Sequence, residues 1–176
     1  MSASSPDEAD RARIVWLLRS LHDVQLYGEA LFALMLEHGG PLTLDQRCKI
    51  EACRLLELAM GRRLSDHLVL NKGDGIGPPG RGRLSAAGYT AVHQTAWKSR
   101  MAALEASVDE VIPSFRELKA LYADREPDLC NTLLAHVLVL REFARLEAQG
   151  EGERSLTGVL SLLGAEAREA LSQFAG

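Results

Sequence analysis

The chain has 176 residues, 47% apolar and 25% charged, with net charge −4 and pI near 5.7. That balance excludes a disordered chain and suffices for one buried core, while the acidic sign removes the basic face that nucleic-acid phosphates reward. No apolar run approaches the ~20 residues of a membrane span, and MSASSPDEAD lacks the basic and apolar regions of a signal peptide, so neither nucleic acid nor membrane is expected as a partner.

Residues 1–8 read as a disordered tail ahead of a single helical domain over 9–176. From Arg11 to His38 the apolar set Ile14, Leu17, Leu18, Leu21, Val24, Leu31, Phe32, Met35 and Leu36 recurs at three and four, which is helix periodicity. Gly39, Gly40 and Pro41 end that helix. Thr43 with Gln46 three residues on is a capping box, predicting a second helix to about Leu70. The segment 71–84, NKGDGIGPPGRGRL, is too rich in glycine and proline for regular structure. A third helix is expected from about Ser85 to Tyr122, kinked where Pro113 removes the bond to Asp109. A fourth starts at DREPD and ends at Gln149-Gly150, and one or two short helices follow from Ser155. Cys48, Cys53 and Cys130 form no CxxC pair, which suits buried free thiols in a reducing cytoplasm. Arginine outnumbering lysine, beside abundant alanine, leucine and glycine, points to a GC-rich bacterial source.

Connection lengths set the architecture. Tight links make hairpins of helices one and two and of helices three and four. The link between the hairpins, extended at ~3.3 Å per residue, can run the length of a ~42 Å helix. Hairpin, long crossover and hairpin over roughly residues 10–150 define an all-α antiparallel four-helix bundle, and this layout resembles the ferritin-like bundles. The resemblance is one of layout and not of a matched motif. An up-down bundle with an open loop is the alternative.

Polar residues on apolar stripes supply the candidate site. In helix four His136 and Glu147 share the stripe of Leu133, Leu140 and Phe143, whereas Glu142 faces away. Three turns, ~16 Å, separate His136 from Glu147, so they cannot ligate one metal together. Helix two buries Glu57, and helix one carries Gln25 and Gly28 on its apolar face. In helix three His93, Arg100, Ser107 and Ser114 recur every seven residues on one side. Such groups form either an internal ion-pair network that sets helix register or the lining of a pocket. In a pocket, Arg100 would grip an anion or a polarised carbonyl, with Gln25, Ser107 and Glu147 as further ligand contacts. His93 or His136 would exchange a proton, and Glu57 would act as base or orienter.

The ferritin-like resemblance implies a di-iron site of two glutamates and two Glu-x-x-His motifs. Helix two offers Glu57-Leu-Ala-Met60 and helix four Leu133-Leu-Ala-His136, so each half-motif has lost one member. A complete di-metal site is not expected, and only a mononuclear one at His136, Glu57 and Glu29 is conceivable. Gly75-Ile-Gly77-Pro-Pro-Gly80 matches GxGxxG but follows a helix, and its prolines lack the amides a pyrophosphate needs. Trp16, Tyr27, Leu31 and Leu34 form a second apolar stripe on helix one, to be covered by Val159–Phe174 or by a second copy, with a homodimer favoured. Three readings result: a cofactor-independent binder, or isomerase, cyclase or lyase, for a small hydrophobic molecule with an anionic or carbonyl end; a non-catalytic dimeric structural or regulatory protein; and a ferritin-like metal-dependent oxidase.

Overall fold

The computed structural model describes residues 6–70 and 86–175, and all regular structure among them is helical. The helices are α1 (Pro6–His38), α2 (Leu44–Leu70), α3 (Ala86–His93), α4 (Trp97–Tyr122), α5 (Pro127–Gln149), α6 (Thr157–Leu162) and α7 (Ala165–Ala175). Of the tail expected over 1–8, residues 1–5 lie outside the described residues, and Pro6 already opens α1. The expected crossover over 71–84 also lies outside them.

Local chemistry explains four of the helix ends. Gly40 takes φ 74°, a left-handed conformation that glycine reaches without Cβ strain, just after α1 ends. The Thr43 Oγ1 accepts from the Gln46 amide at 3.2 Å, while the Gln46 side chain accepts from the Thr43 amide at 3.0 Å. Two orphan donors are thus satisfied reciprocally at the start of α2. Pro127 opens α5, and left-handed Gly150 (φ 86°) closes it, with the Glu151 amide reaching back to the Leu146 carbonyl at 2.8 Å.

One end departs from the expected pattern. The single helix anticipated from Ser85 to Tyr122 is two helices, broken at Gln94–Ala96, while α4 continues through Pro113. Neither proline nor glycine stands at the break; tertiary contacts make it. Ala96 is extended (φ −79°, ψ 121°) without a side-chain cap, and Arg100 turns its guanidinium back onto the Gln94 carbonyl at 2.9 Å.

Four long helices meet in pairs: α1 with α2, α4 with α5, α1 with α4, and α2 with α5. The contacts of α1 with α4 run in opposite chain directions. Arg13 pairs with Glu117 at 2.7 Å near the start of α1 and the end of α4, while Arg100 reaches Gly39 at their other ends. The core holds Leu17, Leu21, Met35, Ile50, Leu56, Leu64, Met101 and Phe143, all fully buried. Each contributes about 1.5–3 kcal/mol of apolar burial. The short C-terminal helices, one of the two covers expected for α1, pack elsewhere among the described residues: α6 on α5 and α2, and α7 on α2. No described helix is long and apolar enough to cross a membrane.

Candidate functional site

A cavity of about 260 Å³ opens between α1 and α4 and reaches α2 and α5. Its walls are apolar: Leu31, Phe32, Leu104, Val108, Phe115, Val137 and Leu140. Tyr27 and Val111 are half-buried, and exposed Asp23 and Glu110 stand at the solvent side. Among the described residues, Glu57 and His136 are the buried ionisable groups that line it.

Two glycines create the seam that holds Glu57. A Cβ at Gly28 would come within 2.5 Å of the Glu57 carboxyl, and one at Gly61 would sit 3.5 Å from the Gln25 Cβ. Each helix of the α1–α2 pair therefore presents a glycine to the other's polar side chain, which lets the backbones approach. Glu57 Oε2 then lies 3.3 Å from His136 Nε2, with side-chain exposures of 7% and 1%. The separation is that of an ion pair, but the angles miss those of a hydrogen bond. Glu57 Oε2 and both ring nitrogens of His136 consequently have no hydrogen-bond partner. A buried polar group left so costs about 1–3 kcal/mol, and the rarity of such groups marks the place where a further partner fits. A carboxyl and an imidazole side by side are also an acid–base couple that a bound molecule could engage at both ends.

Of the residues singled out in the sequence, Glu57, His136 and Ser107 converge on this cavity. Gln25 is buried with both amide atoms unpartnered, but it lines a second cavity of about 180 Å³ on the α1–α2 side, which Glu57 also borders. The remaining three lie elsewhere.

His93 is a correction. It is exposed at the end of α3, its ring 4.2 Å from that of Tyr89, because the break at Gln94–Ala96 destroys the phase that linked it to Arg100. Arg100 is buried as expected but does not line the cavity. Its guanidinium donates to the carbonyls of Gly39 and Gln94, at the C-terminal ends of α1 and α3, where helix dipoles welcome a cation. Burial lowers its pKa, yet an arginine stays charged at neutral pH. The two carbonyls take the place of a carboxylate partner.

Glu147 is a structural hub. Its carboxylate accepts from Lys49 Nζ at 2.8 Å, Ser155 Oγ at 2.5 Å and Trp97 Nε1 at 2.7 Å, tying together the starts of α2 and α4 and the turn before α6. Burial works against the Lys49 charge, but hydrogen bonds to Asp45 and Glu147 outweigh it and hold the pKa above the usual lysine range. Burial, with the charges of Glu57 and Glu147, pushes the Cys53 thiol well up, so it keeps its proton. Glu29, which a mononuclear metal site with Glu57 and His136 would use, is engaged by Arg54 at 3.2 Å. Among the described residues, no three His, Cys, Asp or Glu side chains group at metal-binding spacing.

The sequence reading missed Asp23 and assigned Tyr27 and Leu31 to an outward stripe. Leu31 is in fact core, and Tyr27 lines the cavity. A cavity between two helices draws on the flanks of both apolar faces, so flank residues such as Asp23 and Glu110 were the available signal. Comparison with protein-family models, curated proteins and solved structures finds no match, so the geometry of this cavity is what any functional assignment has to build on.

Proposed function

We propose that the protein binds a small, largely hydrophobic molecule with one polar end, held inside an antiparallel four-helix bundle of ferritin-like layout. The bundle is supported by the opposite-running contacts of α1 and α4, and by the tight α1–α2 and α4–α5 links. Binding is carried by one observation: Glu57 and His136, buried and without hydrogen-bond partners, at an apolar cavity. A cavity of ~150 Å³ already admits benzene, so this one has room for a ring with a short substituent. The anionic end considered from the sequence loses its support, since Arg100 is committed to two backbone carbonyls.

In the catalytic version of this function, an isomerase, cyclase or lyase, His136 would donate a proton to a polarised carbonyl and Glu57 would take one up; their 3.3 Å separation favours it. To test binding, benzyl alcohol and benzaldehyde are titrated against protein with ¹⁵N-labelled histidine. We expect the His136 resonances to move saturably in the wild type and not in Val108→Trp, which fills the cavity. If no probe shifts His136, binding at this cavity is excluded. A second copy docking on α1 is a separate proposal, motivated by Val15 and Trp16, which are 41% and 52% exposed side by side. A monomer in sedimentation, unchanged by Trp16→Glu, would remove it.

A further inference from the structure

The charge on the ligand is written in the cavity. Among the described residues, its carboxylate and basic lining is Asp23, Glu57 and Glu110 against His136, with neither lysine nor arginine. Two cations buried or half-buried in the bundle are engaged elsewhere: Arg54 with Glu51 and Glu29, Arg100 with backbone carbonyls. The cavity is also where aromatic rings gather, since Tyr27, Phe32 and Phe115 line it in a chain with only 4 Phe, 3 Tyr and 2 Trp. Ring faces attract cations.

We propose that the polar end of the ligand is a protonated amine, held by Glu57 at the buried end of the cavity with its hydrophobic body against Phe32, Phe115 and Leu140. This rests on the binding function above and narrows it. An ammonium has three donors and no acceptor, so it satisfies the Glu57 Oε2 and the unprotonated His136 nitrogen, two of the three atoms left without partners there. Charge-assisted bonds of this kind are roughly twice as strong as neutral ones. Asp23 and Glu110, exposed at the opening, draw a cation in and repel an anion. With an ammonium on Glu57, the carboxylate is no longer free to act as a base, so the protein is in this case a receptor for amines and not a catalyst.

The test titrates benzylamine, benzyl alcohol and benzoate by calorimetry against the wild type, Glu57→Gln, and the surface variant Asp23→Asn/Glu110→Gln. We expect benzylamine to bind the wild type at least about tenfold more tightly than the alcohol, and benzoate not at all. Glu57→Gln should erase the preference by weakening benzylamine to the level of the alcohol. The surface variant, which touches no core contact, should weaken benzylamine alone and flatten its salt dependence. Should the alcohol or benzoate bind the wild type as well as the amine, the charge assignment is overturned while the binding function stands. Binding of none of the three overturns both.

Discussion

Two kinds of buried polar residue stand side by side in this core, and their chemistry separates them. Arg100 and Glu147 have every strong partner they need, whereas Glu57 and His136 touch each other poorly and lack the rest. Opposite responses to substitution follow. Arg100→Ala strands the Gly39 and Gln94 carbonyls and should lower unfolding free energy by about 2–4 kcal/mol in a denaturant titration. Arg100→Lys should recover little of that, since a lysine ammonium lacks the planar, spaced N–H groups with which the guanidinium reaches both carbonyls. Glu57→Leu/His136→Leu should cost nothing, and gains up to about 2 kcal/mol, because it replaces imperfectly paired buried groups with apolar ones. A loss beyond about 2 kcal/mol in the double variant would recast the pair as structural.

At the scale of elements, the α1–α2 seam decides where the Glu57 carboxylate lies. Gly28→Ala puts a methyl 2.5 Å from it and must displace either the carboxyl or the helix. The expected loss is about 1–3 kcal/mol. Gly28→Ala/Glu57→Ala should then be more stable than the two single losses added together, which a double-mutant cycle reads directly. The same seam was partly legible in the sequence, because Gln25, Gly28, Glu57 and Gly61 all fall on apolar stripes. The α3–α4 break was not legible. Residues 94–96, Gln-Thr-Ala, carry no breaker, and the extended Ala96 is held by what Arg100 and Trp97 bond to on distant parts of the chain.

Across the whole molecule, the network around Glu147 joins four segments, and its cation titrates. Because the folded pKa of Lys49 is raised, its contribution is fully present below the ordinary lysine pKa and is lost as pH rises through the higher folded value. Denaturation midpoints should hold from neutrality to about pH 10 and then fall, and Lys49→Met should remove part of that alkaline fall. The cavity makes the complementary point about packing. Val108→Phe, filling open space beside apolar walls, should leave stability unchanged or raise it by about 1 kcal/mol while blocking probe binding.

Residues within a few positions of one another determined the helices, the Thr43–Gln46 cap, the Gly150 stop and the inward-facing glutamates and histidine of α2 and α5, because periodicity and capping are local properties. Which inward groups meet was decided only in three dimensions. His93 and Arg100 share a seven-residue spacing, yet one is exposed and the other buried, since a phase counted along the chain survives only while the helix is unbroken. Glu57 and His136 stand 79 positions apart and share no motif; the depth at which α2 and α5 pack, with a glycine on α1 making room, brings them to 3.3 Å.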